Sequence, residues 1–258
     1  MKITYLYHDC FLLECDSCVF LTDYFPGVPV DPRKMMVGDL PSYLLVSHHH
    51  KDHFTPAVFS WWRQLGSLRY IVSRDVASRT AYLMSDDSHY RGRNRVDASR
   101  VAVLGLHDVF EAPGFRIEAF GSTDIGNSYV IETEGKRIFF AGDLNAWTWC
   151  SESTPQEVAQ SLDAYLAVLD DIYKRYRSFD VVLFPVDPRM RPDAVDGGRL
   201  FCEKFEVGNF VPMHFELWSD PAERDDYLDF VLGSRYKIVG TSGTRYIPLL
   251  QTGESVEL

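Results

Sequence analysis

Three short apolar runs in this chain end on residues that bind metal ions, and that recurrence limits the fold more than any other feature. The first is 43-YLLVSHHHKDHFTP-56, the second 136-KRIFFAGDLNAW-147 and the third 209-NFVPMHFELW-218. Each run reads as a strand, so three strands deliver ligand-type side chains at their C-terminal ends. Sites in α/β sheets collect on such an edge. In an extended or turning segment, residues two apart point the same way, so His48, His50 and Asp52 converge, with His53 adjacent at the turn. His49 alternates away and reads as a packed or solvated histidine. Imidazole and carboxylate without cysteine suit zinc, manganese or iron. A purification tag would be terminal and longer, and a solvated loop has no need of histidines at this spacing with an aspartate beside the last. Gly142 lets the backbone approach closely just before Asp143. Alone, Asp143 would be a turn residue as readily as a ligand, and a single His214 would usually be structural. Their joint occurrence with the cluster makes both candidate ligands.

The rest of the chain supplies the frame. KITYLYH, CFLLE, VFLTDYF, RYIVS, VAVLGL, DVFEA and FRIEAF read as strands, and NSYVIET and KRIFFA as a hairpin turning at Glu134-Gly135. AVFSWWRQL and RDVASRTAYLM read as helices. Between Thr154 and Arg177 apolar residues recur at helical spacing (Val158, Leu162, Tyr165, Leu169, Ile172, Tyr176). Thr154 is a candidate N-cap, with Pro155 in the first helical position and Glu157 in the first turn. DVVLFP is then a strand, GGRLFCEKFE a helix, NFVPM a strand and DPAERDDYLDFVLG a helix, and YKIVG and TRYIPL close the chain as strands. Strands in series followed by strand–helix alternation predict stacked sheets with helices outside. With no repeat or linker, one domain over 1–258 is expected.

With 258 residues, 46% of them hydrophobic, the chain can build a sizeable core without disulfides. The five cysteines are odd in number and irregularly spaced. Cys15 and Cys18 bracket a turn and read as hairpin residues without a ligand role. A net charge of −11 opposes nucleic-acid binding, and the arginines of 91–100 read as an exposed loop. No stretch is apolar enough to span a bilayer, and the N-terminus lacks a signal-peptide core, which predicts a cytoplasmic location.

The pattern His48-x-His50-x-Asp52-His53, then Gly142-Asp143, then His214 resembles the metallo-β-lactamase-fold superfamily along nearly the whole chain. Two details are similar to the branch containing L-ascorbate 6-phosphate lactonase: the LTDYFP turn with Asp23, and the Pro-Met before His214. The resemblance implies an α/β fold, a four-layer αββα sandwich, and a metal-dependent hydrolase. It implies two metal positions: His48, His50 and a third histidine at the first, Asp52, His53 and His214 at the second, and Asp143 bridging. The third histidine is missing. Its place reads 119-AFGSTDIGNSY-129, with Gly121 or Ser122 at the expected position. Asp124 is a substitute, but a turn-capping role is the preferred reading. His8 lies in the first strand and can face the cleft, whereas His89 and His107 have no matching context.

The first position is thus left with His48, His50 and Asp143, three ligands at best, against Asp52, His53, Asp143 and His214 at the second. One firmly held divalent ion, or two of unequal affinity, is expected: zinc or manganese, with iron as a third option. The expected reaction is attack of a metal-bound hydroxide on an ester, lactone or phosphoester of a small anionic metabolite. Asp52 or Asp143 would orient the water and accept its proton. Trp147, Trp149 and Trp218 are candidate cleft walls, and Arg189 and Arg191 candidate contacts for an anion. The alternatives are a degenerate metal- or metabolite-binding protein and, less favoured by the charge, a nuclease. Neither nucleic acid nor membrane is an expected partner, and the oligomeric state stays open.

Overall fold

The computed structural model describes residues 1–85, 94–216 and 221–258, with the side chains of 221 and 222 set aside. His89 and Trp218 lie outside the described residues. In chain order the strands are β1 (Lys2–Tyr7), β2 (Cys10–Glu14), β3 (Val19–Thr22), β4 (Ser42–Val46), β5 (Arg69–Ser73), β6 (Val101–Leu104), β7 (Val109–Ala112), β8 (Phe115–Phe120), β9 (Ser128–Thr133), β10 (Lys136–Phe140), β11 (Ser178–Pro185), β12 (Glu206–Met213), β13 (Arg245–Tyr246) and β14 (Ser255–Glu257). They form two seven-stranded sheets, ordered β14-β1-β2-β3-β4-β5-β6 and β13-β12-β11-β10-β9-β8-β7. Strands β3 to β6 run parallel, as do β10 to β13.

Near-continuous apolar runs are what a sheet buried on both faces requires. In the first sheet Ile3, Tyr5, Phe11, Leu13, Phe20, Leu45 and Ile71 belong to the core shared with the second sheet. Their neighbours Leu6, Leu12, Leu21, Leu44, Val46 and Val72 belong to a second core on the outer face. That is the period-two alternation of a strand. Between the sheets, the Phe115 ring meets Phe20 and Tyr43 at 4.8 and 4.7 Å, and the Tyr129 hydroxyl donates to the Val46 carbonyl at 2.9 Å.

Outside the first sheet lie the tight helical turns Pro56–Arg63 and helix α1 (Arg74–Met84), which bury Val58, Phe59, Trp61, Val76 and Leu83. Outside the second lie α2 (Pro155–Tyr173) and α3 (Asp196–Lys204), where Phe201 packs on Phe139 with ring centroids 4.9 Å apart. Helices α4 (Pro221–Gly233) and α5 (Arg235–Val239) follow. The result is two mixed sheets with helices on both outer faces, the α/β sandwich expected.

Local chemistry explains most element ends. Thr154 and Glu157 form a reciprocal capping box at the start of α2. Glu134 and Gly135 both take positive φ, 53° and 71°, as the tight hairpin between β9 and β10 demands. Cys15 and Cys18 are buried in the β2–β3 turn, where the Cys15 amide donates to the Cys18 carbonyl at 2.9 Å. One expectation fails: YKIVG is helix α5, not a strand. The edge of β12 is taken by Arg245 and Tyr246, and a helical turn lets both Ile238 and Val239 face inward, where a strand would turn one of them out. Among the described residues no helix is long and apolar enough to cross a membrane.

Candidate metal centre

One edge of the sandwich gathers the C-terminal ends of β1, β3, β4, β10, β11 and β12. The turn after β1 carries His8 and Asp9, the end of β3 Asp23, and the segment after β4 Ser47 to His53. Asp124 comes from the β8–β9 loop, Asp143 from the end of β10, Asp187 from the end of β11 and His214 from the end of β12. Two glycines let the second sheet's loops close onto the β4 end. Gly142 has φ +52°, and a Cβ there would lie 2.7 Å from the Ser47 Cβ. Gly126 has φ +79°, and a Cβ would lie 2.2 Å from the Ser47 carbonyl oxygen. His8, Asp23 and His214 also have positive φ, of 57°, 33° and 65°. Such backbone costs about 1–3 kcal/mol per residue and concentrates at functional sites.

Asp143 sits at the centre. Its Oδ2 is 3.4 Å from His48 Nε2, and its Oδ1 is 3.2 Å from both His53 Nε2 and His214 Nε2. Four overlapping sets of ligand atoms, each within 4.8 Å of one another, lie around it among the described residues: His48, His50, Asp124 and Asp143; His8, Asp52, His53 and His214; Asp9, His53, Asp143 and His214; and Asp23, His48 and His53. The structure therefore brings together all six sequence-derived ligand candidates. His49 points away, with its Nδ1 2.8 Å from Asp75 Oδ2.

Asp124 departs from the reading as a turn cap. The turn is held by Ser122, whose Oγ accepts from the Asp124 amide at 3.3 Å, so the carboxylate is free to approach His50 Nδ1 at 3.2 Å. A carboxylate thus stands in the region where the resemblance called for a third histidine, and the first position has four candidate ligands instead of three.

Sequence reading missed an outer ring of carboxylates. Asp23 accepts from the Ser47 amide at 2.7 Å and lies 2.8 Å from His53 Nδ1. Asp187 lies 3.3 Å from His214 Nδ1. Aspartates at strand ends were the available signal, but such residues are common in turns.

Burial lowers the His48 pKa to about 2, helped by the neighbouring imidazole of His53. Burial opposes a charge on His53 as well, but Asp143, Asp23 and Asp9 outweigh it and push the group up to about 9. Burial works against the Asp143 carboxylate too, yet His53 and His214 hold it well below the usual range. Asp9 is pushed up to about 8, chiefly by burial.

Several buried atoms lack a well-aligned hydrogen bond: both ring nitrogens of His8, His53 Nε2, His214 Nε2, Asp143 Oδ1 and both Asp9 oxygens, although His53 and His214 lie within ion-pair distance of Asp143. Leaving such groups unpaired costs about 1–3 kcal/mol each. Clustered imidazole nitrogens and carboxylate oxygens that lack other partners fit a divalent cation, which would satisfy several of them together.

A cavity of about 340 Å³ opens on this edge, lined by Asp52, Thr123, Asp124, Asp143, Trp147, Trp149, Arg189 and His214. Trp147 and Trp149 lie nearly parallel, with centroids 6.3 Å apart, and the Trp147 indole donates to the Asp143 carbonyl at 2.8 Å. Arg189 is braced by Asp187 through its Nε. Arg191 does not line the cavity. It pairs with Asp226 at 2.7 Å and covers the Tyr227 and Phe230 rings. A larger depression of about 640 Å³, lined by Tyr173, Arg177 and Phe205, holds none of the ligand clusters found among the described residues.

Comparison with known proteins bears on the family and the fold. Residues 2–196 match the family model described as "Beta-lactamase superfamily domain". A UPF0173 metal-dependent hydrolase of Pyrococcus furiosus is 22% identical over 269 residues, covering 100% of both chains. Another from Pelotomaculum thermopropionicum is 26% identical over 271 residues, again covering 100% of both. Among solved structures, a metallo hydrolase of the archaeon Ignicoccus hospitalis superposes with a TM-score of 0.62 at 16% identity, over 99% of this chain and 97% of that one. The match over most of the chain, on the same fold, makes this protein a member of the beta-lactamase superfamily domain family.

Proposed function

We propose that this metal-dependent hydrolase cleaves an ester, lactone or phosphoester of a small anionic metabolite at the Asp143 edge. The observation that carries the reading is the position of Asp143. One carboxylate has an oxygen 3.4 Å from a histidine of the first ligand set and the other oxygen 3.2 Å from two histidines of the second. A carboxylate placed between two histidine sets would suit one divalent ion or two adjacent ones, zinc, manganese or iron. Bound there, a divalent ion lowers the pKa of a coordinated water and polarises the electrophile.

The chain's own residues supply the rest. His48, His50 and Asp124 hold the first position, and Asp52, His53 and His214 the second. Asp52 is partly exposed and lines the cavity, so it can orient the attacking water and accept its proton. A cavity of about 340 Å³ is at the small end of ligand pockets, which favours a metabolite over a polymer. Trp147 and Trp149 give it an apolar wall. Arg189 places a cation on its rim, and its Nη1 carries no hydrogen bond among the described residues.

The test is a panel of lactones, thioesters and phosphodiesters, assayed with the purified protein before and after chelation and metal re-addition, and with Asp52→Ala. Turnover that vanishes on chelation, returns with metal and is lost in Asp52→Ala supports the reading. Tight metal binding with no turnover on any class, in parent and variant alike, would favour a non-catalytic binding protein instead.

A further inference from the structure

His8 is a buried histidine in a tight turn. It and Asp9 form the turn between β1 and β2, where the pairing shifts register between Tyr5 and Tyr7. Its φ of +57° is a conformation that glycine or asparagine adopts more readily. Its backbone is pinned: the amide donates to the Tyr5 hydroxyl at 2.9 Å, and the Thr22 hydroxyl donates to the next carbonyl, that of Asp9, at 2.7 Å. The ring is fully buried, and neither of its nitrogens has a hydrogen bond. It lies over His214 with centroids 4.1 Å apart, and its Nε2 is 3.7 Å from Asp52 Oδ2.

We infer that His8 is a metal-binding residue of the second position, which would then hold a divalent ion through His8, Asp52, His53 and His214. The inference rests on the proposed metal centre and extends it by one ligand. Tetrahedral zinc with bonds of about 2.0–2.1 Å sets its ligand atoms roughly 3.4 Å apart. The distances here bracket that value: 3.7 Å for His8 to Asp52, 3.8 Å for His53 to Asp52, and 3.2 Å from Asp143 to His53 and to His214. Ligand atoms of His8, Asp52, His53 and His214 lie within 4.8 Å of one another, so one ion can reach all four after a small contraction. Three imidazoles and one carboxylate make a nitrogen and oxygen set that zinc, iron or manganese can occupy. No other described polar group satisfies the ring, which explains why a strained turn keeps a buried imidazole.

The experiment compares parent, His8→Asn and His8→Gln. Asparagine tolerates the positive φ but is too short to reach the ion. Manganese affinity is measured by calorimetric titration, metal content by elemental analysis, and coordination by the visible absorption of the cobalt-substituted protein. Expected is a fall in second-position manganese affinity of at least about 10–100-fold in His8→Asn, with a changed cobalt spectrum. Manganese affinity within about twofold of the parent, with an unchanged spectrum, overturns the assignment of His8 alone. A parent that binds no metal overturns the proposed centre as well. If the variants do not fold, anomalous diffraction from the manganese-loaded parent decides: His8 Nε2 within about 2.3 Å of the ion supports the inference, and a separation beyond about 3 Å overturns it.

Discussion

The two candidate metal positions both lie against Asp143 but differ in how deeply their other residues are buried. At the second, the side chains of His8, His53 and His214 are 0%, 0% and 3% exposed. At the first, His48 is 0% exposed but His50 and Asp124 are 44% and 39% exposed, whereas at the second only Asp52, at 32%, reaches solvent. The second position is braced from outside by Asp23 on His53 and Asp187 on His214. At the first, the Ser47 hydroxyl lies 2.9 Å from His48 Nδ1. Outer partners that fix ring orientation strengthen a ligand set, and exclusion of water strengthens its electrostatics. The second position is therefore expected to bind first and more tightly. The shared residue is where the comparison breaks: Asp143→Ala should lower affinity at both positions by more than about 100-fold and abolish metal-dependent turnover, read by elemental analysis and chelator competition. Loss at only one position would show that the two are independent.

The outer ring sharpens the contrast. Asp187→Asn keeps the size of the side chain but removes the charge facing His214 Nδ1. Affinity at the second position should fall about 10–100-fold while the first is unchanged. An equal fall at both would mean that Asp187 acts through Arg189 and the cavity rather than through His214.

How much of this was legible differs along the chain. The candidate ligands at the ends of β4, β10 and β12 could be singled out because each follows an apolar run, and the register of a strand dictates where its last residue is presented. The helix after Thr154 could be read because cap, proline and apolar spacing agree. Asp124 could not be assigned, because its direction depends on Ser122 taking over the turn hydrogen bond, a contact that no spacing encodes. Asp23 and Asp187 were hidden for a related reason: their role is defined by rings brought from other strands. Helix α5 was misread because five apolar-rich residues suit either structure, and the outcome was set by which segment reached the edge of β12.

Proton competition separates the positions a third way. In the metal-free protein Asp143 and Asp23 outweigh burial and hold His53 protonated up to about 9, and Asp143 raises His214 as well, so an ion entering the second position must displace both protons. Its apparent affinity should rise by up to about a hundredfold per pH unit where both are protonated, with proton release visible as a buffer-dependent heat. At the first position His48 is already neutral, its pKa lowered to about 2, so the dependence there should be weaker. The same shift has a stability sign. A histidine whose folded pKa is raised stabilises the metal-free fold fully below about 6.5, and that contribution is lost as pH climbs through about 9. Asp9, pushed up to about 8, works in the same direction. The melting temperature of the metal-free protein should fall across that window, and a flat profile would contradict the charge assignment.

The smallest effect is expected at Asp124. Its carboxylate is partly exposed, so the charge it contributes is screened by water and salt. Asp124→Ala should lower affinity at the first position by about tenfold and leave the second untouched, because His53 and His214 do not depend on it. Asp124→His should bind zinc at the first position at least as well as the parent, since imidazole is the better zinc donor there. If Asp124→Ala instead leaves both positions unchanged while turnover falls, Asp124 faces the substrate rather than an ion, and the first position reverts to three ligands.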